Sequence, residues 1–123
     1  MVDHIGLKVK DLGASVRFYT AALEPLGHVL GPSEKACAGI GPKDAPGLWL
    51  YAAQDAKGPG VHVALRARDQ AAVDGFHKEG LKAGGRDNGG PGIRADYSPN
   101  YYAAFLLDPD GTNVEAVFML PRP

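Results

Sequence analysis

Sliding the chain along itself by 58 residues superposes residues 4–27 on residues 62–85 without a gap. Seven positions are identical: His4/His62, Leu7/Leu65, Asp11/Asp69, Ala14/Ala72, Phe18/Phe76, Leu23/Leu81 and Gly27/Gly85. Ile5/Val63, Lys8/Arg66 and Lys10/Arg68 are conservative. An internal duplication of this size limits the chain to folds built from two copies of one supersecondary unit. Such copies tend to pair about a pseudo-twofold axis, which carries equivalent residues toward a common centre. Two of the equivalent residues are histidines.

Each copy reads as a strand followed by a helix. Ile5, Leu7 and Val9 alternate with His4, Gly6 and Lys8, and Val61, Val63 and Leu65 alternate with His62, Ala64 and Arg66. The apolar set faces a core, so each histidine is expected on the opposite face of its strand. Asp11 and Asp69 stand at N-cap positions before helical stretches carrying Val16, Tyr19 and Leu23, or Val73, Phe76 and Leu81. Gly27 and the Gly84-Gly85 pair end those helices.

Further strands follow each helix. The sequence predicts one over residues 47–51, after a stretch holding Gly41, Pro42 and Pro46, and a hairpin of residues 101–107 and 113–118 around Asp108-Pro109-Asp110-Gly111. Residues 86–100, rich in glycine, read as a mobile loop. The expectation is an α+β protein of two βαβββ modules, one covering about 1–54 and the other about 61–120, joined by a linker at about 55–60.

With 13 basic and 14 acidic residues, a net charge of −1 and no basic block, neither nucleic acid nor a membrane surface is implied as a partner. No apolar run reaches the roughly 18 residues of a membrane span. With no signal-peptide pattern and a single cysteine, Cys37, the expected location is the cytoplasm. Cys37 has no basic neighbour to activate it and reads as a buried, inert thiol.

The chemistry candidates are His4, His62 and Glu115. In the last strand Val114, Ala116 and Phe118 take the core face, leaving Glu115 on the other with Asn113 and Val117. Two imidazoles and one carboxylate converging in a cleft form the facial set that leaves positions open on an octahedral divalent ion.

Three segments carry a family resemblance: Asp3-His4-Ile5-Gly6-Leu7 through Asp11 and Phe18-Tyr19; His62 with its following helix; and Phe105 to Glu115 through Asp108-Pro109-Asp110-Gly111. With these the chain resembles the vicinal oxygen chelate superfamily, which contains glyoxalase I, bleomycin-resistance proteins, extradiol dioxygenases and fosfomycin-resistance transferases. The resemblance implies a single domain over 1–123 whose βαβββ modules form an open, cup-shaped mixed sheet. His4, His62 and Glu115 match the family's metal ligands, and Fe(II), Mn(II), Zn(II) or Ni(II) is the implied cofactor. Aligning Gly47 with Gly111 places Tyr51 where glyoxalase I-like members carry a fourth ligand, which disfavours that activity.

Two functions are compatible with these residues. One is a metal-dependent enzyme of dioxygenase, lyase or thiol-transferase type, acting on a small organic substrate that chelates the ion through two oxygens. The other is a non-catalytic binder or drug-sequestering protein of the bleomycin-resistance type. Trp49, Tyr51, Arg94, Tyr101 and Asn113 are the substrate-binding candidates, and Tyr97, Ser98 and Tyr102 the candidates for a catalytic hydroxyl. His28 and His77 are expected at the surface. A homodimer is expected because half-module sheets leave open edges; the residues leave open whether one chain or two build each cleft. The tail from Leu120 to Pro123 reads as a free end or a dimer contact.

Overall fold

The computed structural model of the protein describes residues 2–56 and 61–121. The second part of the expected linker, at 57–60, and the tail residues Arg122 and Pro123 lie outside the described residues.

Strand β1 (Ile5–Val9) leads into helix α1 (Leu12–Leu23), a 3-10 turn (Glu24–Leu26), and strands β2 (Val29–Ser33), β3 (Cys37–Gly41) and β4 (Leu48–Ala52). The second half repeats the plan: β5 (His62–Arg66), α2 (Gln70–Lys82), two short strands β6 (Arg86–Asp87) and β7 (Gly92–Ile93), then β8 (Tyr101–Leu107) and β9 (Asn113–Met119). In each half the last strand returns parallel to the first and lies beside it, a pairing that the crossover helix makes possible. The architecture is α+β with two sheets, ordered β1-β4-β3-β2 and β5-β9-β8-β6, with β7 also paired to β8. His62 thus lies on an edge strand of the second sheet, and His4 directly before an edge strand of the first.

Both helices start as the sequence requires. The Asp11 carboxylate accepts the Ala14 N–H at 3.0 Å and Asp69 accepts that of Ala72 at 2.8 Å. Gly27 and Gly84 take left-handed φ angles of 90° and 100° where the helical segments stop.

One core spans both halves. Leu7, Val9, Phe18, Tyr19, Leu23, Ile40 and Leu50 from the first pack in one cluster with Val63, Val73, Phe76, Leu106 and Val114 from the second. The helices cross closely because α2 presents Gly80 there: a Cβ on it would come within 2.3 Å of Leu106 Cδ1 and 3.2 Å of Ala22 Cβ. The buried face of α2 is therefore Ala72, Val73, Phe76 and Gly80, and Leu81 is exposed, contrary to expectation. A glycine contributes no apolar signal to periodicity, so the apolar pattern points to Leu81 although Gly80 beside it is the buried residue.

The Asp-Pro-Asp-Gly turn joins the halves. Asp108, 1% exposed, accepts the N–H groups of Asp110 and Thr112 through one oxygen and the Tyr19 hydroxyl of α1 through the other, at 2.6 Å. Asp110 accepts the Lys10 N–H. Burial, and then the Asp108 charge, push the Tyr19 phenol far above its ordinary range.

Residues 86–100 are more firmly attached than a loose loop. The Asn88 N–H donates to the Phe105 carbonyl and the Phe105 N–H to that of Gly89, while His77 on α2 bonds Asp87 at 2.9 Å. His77 is consequently only 14% exposed, against the expectation of a surface residue. Among the described residues no helix is long and apolar enough to cross a membrane.

Candidate metal centre

Alternation along the second sheet sorts its residues onto two faces. Val63, Leu65, Val114, Ala116, Phe118, Ala104 and Leu106 turn toward the helices. His62, Ala64 and Arg66 of β5, Asn113, Glu115 and Val117 of β9, and Tyr101, Ala103 and Phe105 of β8 share the other face, with Ala64, Glu115 and Phe105 in one row.

Glu115 is 3% exposed and is the only buried glutamate among the described residues. Its Oε1 lies 2.9 Å from His62 Nε2, and its Oε2 accepts the Tyr101 hydroxyl. The other ring nitrogen of His62, Nδ1, is 3.1 Å from the Asn113 carbonyl oxygen. A carbonyl only accepts, so Nδ1 carries the hydrogen, and in a neutral ring Nε2 is the nitrogen with the lone pair. Two lone pairs 2.9 Å apart require a cation between them: a proton, or a metal ion. Holding the distal ring nitrogen on a backbone carbonyl is also how a metal-binding imidazole is oriented. His62 Nε2 and Glu115 Oε1 are donors of the kind a divalent ion takes.

His4 does not join them. It precedes β1, its Nδ1 faces the Asp3 carboxylate at 2.7 Å, and it lines a cavity of about 200 Å³ with His28, Ile40, Leu48, Val63 and Leu65, the last two from the helix-facing side of β5. Among the described residues no group of three or more His, Cys, Asp or Glu side chains could hold an ion. One chain therefore gathers two of the three expected ligands.

The remaining candidates divide by face. Tyr102 lies on the helix side, with its hydroxyl on Asp74 of α2 at 2.6 Å, because it follows Tyr101 by one residue. Ser98 is committed to a turn, donating to the Asn100 side chain and accepting its N–H. Tyr97, 63% exposed, packs edge-on against Tyr101 with centroids 5.0 Å apart. None of the three expected catalytic hydroxyls touches Glu115; the one that does belongs to Tyr101, read from the sequence as a substrate contact. Its phenol is pushed up to about 12, by burial first and then by Glu115.

Arg94 is already engaged. Its guanidinium donates to the Gly90 and Gly92 carbonyls and lies 5.3 Å above the Phe105 ring, which in turn stacks on His62 with centroids 6.3 Å apart. The Asn113 side chain accepts from Asn88. On the first sheet, Trp49 and Tyr51 lie on the face away from α1, over glycines: a Cβ at Gly39 would stand 2.9 Å from the indole, and one at Gly6 3.0 Å from the Tyr51 ring. These are flat aromatic platforms. Cys37, across from Tyr51 in β3, is partly exposed, and His28 is partly buried, each contrary to expectation.

A family model for the Glyoxalase/Bleomycin resistance protein/Dioxygenase superfamily matches residues 1–116. Among solved structures, the chain is similar to a glyoxalase/bleomycin resistance protein from Albidiferax ferrireducens T118, with 28% identity and a TM-score of 0.81 over 94% of this chain and 96% of that one. A glyoxalase-related enzyme from Fulvimarina pelagi is 21% identical, with a TM-score of 0.74 over 96% and 87%. A glyoxalase/bleomycin resistance protein/dioxygenase family enzyme from Burkholderia phytofirmans PsJN is 17% identical, with a TM-score of 0.75 over 96% and 98%. No curated protein sequence matches.

Proposed function

Because the chain belongs to the glyoxalase/bleomycin resistance protein/dioxygenase superfamily, we propose that it is a divalent-metal-dependent enzyme acting on a small organic molecule that chelates the ion through two oxygens. His62 and Glu115 hold the ion, and His4 of a second copy in a homodimer supplies the third donor. The observation that carries this reading is His62 Nε2 standing 2.9 Å from the buried Glu115 carboxylate, with Nδ1 against the Asn113 carbonyl. The contribution of a second copy is supported by the repeat equivalence of His4 and His62, by their separation within one chain, and by the edge positions of β1 and β5.

A divalent ion there supplies Lewis acidity to bound oxygens. The chain's own residues do the rest. Tyr101 donates to Glu115 Oε2 and fixes the carboxylate plane; with its phenol pushed up to about 12 it remains a donor across the neutral range. Phe105, 9% exposed and opposite Glu115 in the ladder, walls that carboxylate from water and stacks against the His62 ring. Trp49 and Tyr51 offer stacking surfaces for a planar substrate.

Those platforms, together with only two metal donors in one chain, favour a second reading as a non-catalytic binder. Metal content separates the two. Purified protein reconstituted with Mn(II), Zn(II), Ni(II) or Fe(II) should retain about one ion per chain after desalting, and His62→Ala and Glu115→Gln should lose it. Wild-type protein that retains none of the four would overturn the enzyme reading.

A further inference from the structure

The face that carries Glu115 continues into a second feature. Two residues along β5 from Ala64 stands Arg66, paired with Val117 as Ala64 is paired with Glu115. That step is roughly 7 Å along the sheet. At the ends of β5 and β9 a cavity of about 480 Å³, a volume suited to a small organic molecule, is lined by Arg66, Tyr101, Val117 and Met119 from the Glu115 face, by Phe118 from the helix side, and by Arg68 just past β5. Tyr101 is common to both places: it lines this cavity, and its hydroxyl donates to Glu115.

Both arginines of this cavity are exposed and reach solvent. Neither Arg66 nor Arg68 has a carboxylate within 4.0 Å among the described residues, in a chain whose total charge is only −1. Arg94, the arginine that sequence alone suggests for an anion, is spent on two carbonyls and an aromatic ring. A guanidinium offers a planar fork of donors that matches a carboxylate or phosphate. Val117 and Met119 supply an apolar floor beside it.

We propose that this cavity is an anion subsite: Arg66, assisted by Arg68, binds a carboxylate or phosphate of the substrate while an apolar part of the same molecule lies on Val117 and Met119. This deepens the enzyme reading and rests on it for what happens beside Glu115, since it names the substrate class as an organic anion whose charged end is held away from the chelating oxygens. Recognition at Arg66 needs no metal, so the two can fail separately.

The test uses phenylacetate, phenyl phosphate and the neutral phenylacetamide, titrated into the full chain with amide and arginine side-chain resonances followed by NMR. The expected result is saturable shifts at Arg66, Val117 and Met119 with at least one of the two anions and at least tenfold weaker binding of the amide. The stronger of the two anions identifies carboxylate or phosphate as the group recognised. Arg66→Gln should weaken binding of that anion at least tenfold while keeping the metal content of the wild type, whereas His62→Ala should lose the metal and keep the anion. If Arg66→Gln perturbs the fold, Arg68→Gln with a dispersed spectrum provides the same comparison, with a smaller but measurable weakening. No saturable binding of either anion, equal binding of the amide, or anion affinity untouched by the substitutions would overturn the subsite, whatever the metal measurements gave.

Discussion

Trp49 occupies in the first sheet the position that Glu115 occupies in the second. Gly6 pairs with Trp49 across β1 and β4, and its repeat equivalent Ala64 pairs with Glu115 across β5 and β9. Matching Gly47 with Gly111 instead sets Tyr51 against Glu115. By this register Gly47 stands where Asn113 does, two residues past Gly111, so the alignment by turn glycines slips by two residues. The fourth corner of a fully duplicated ligand set therefore holds an indole, which has no lone pair to give.

Restoring the missing corner should strengthen metal binding. Trp49→Glu is expected to raise Mn(II) or Zn(II) affinity about tenfold, equivalent to about 1.4 kcal/mol, while Tyr51→Glu, two pairs farther along the ladder, leaves it near the wild-type value. Competition with a chromophoric chelator measures both. The wild-type chain, short of that carboxylate, should show no detectable isomerisation of the methylglyoxal-glutathione hemithioacetal with Ni(II), Zn(II) or Mn(II).

A centre shared between two copies has a distinctive signature. His4→Ala and His62→Ala proteins should each lose the ion, yet a mixture unfolded and refolded together should regain it. Each mixed dimer unites the intact His4 of one chain with the intact His62 and Glu115 of the other at one of its two sites. Random pairing makes about half of the dimers mixed, so roughly a quarter of the wild-type metal content should return. A mixture as empty as its parents would mean that the third donor does not come from a second copy.

Much of this arrangement is legible in the residues, and the exceptions have physical causes. The 58-residue repeat, the Asp11 and Asp69 caps and the Asp-Pro-Asp-Gly turn are local or periodic signals, and the elements they mark form as expected. Glu115 and His62 follow from strand alternation, and they are in contact. His4 does not follow, because β1 begins one residue later, at Ile5, and alternation has no hold on a residue outside the ladder. Tyr101 and Tyr102 are indistinguishable as neighbouring phenols until strand register puts one on Glu115 and the other on Asp74. Asp108 reads as a turn residue, and its bond to Tyr19, 89 positions away, is a product of tertiary packing alone.

That bond predicts a stability effect that spans the halves. Tyr19→Phe leaves one oxygen of a buried carboxylate without its donor, which costs about 1–3 kcal/mol. Asp108→Ala strands the Tyr19 hydroxyl and the Asp110 and Thr112 N–H groups together and should cost more. Urea unfolding at pH 7 followed by circular dichroism gives both values, with m unchanged if the two halves still unfold as one unit.

His28 sets the expected pH dependence. Its ring lines the largely apolar cavity beside Leu23, Ile40 and Leu48, its Nδ1 has no hydrogen-bond partner, and burial holds its pKa below the ordinary 6.5. The fold therefore favours the neutral ring, and below pH 6.5 the unfolded chain binds more protons than the folded one. Stability from this group is complete above 6.5 and falls as the pH drops from there toward the folded value. Asp87 has the other sign of charge and a different window: the Gly89 N–H and then His77 hold it below 3.8, so its contribution is lost only in stronger acid. Unfolding midpoints at pH 7.5 and 5.5 should differ in the wild type, with the lower value at 5.5. His28→Gln, which cannot titrate, should narrow that gap. An undiminished gap in His28→Gln would assign the acid sensitivity to another group.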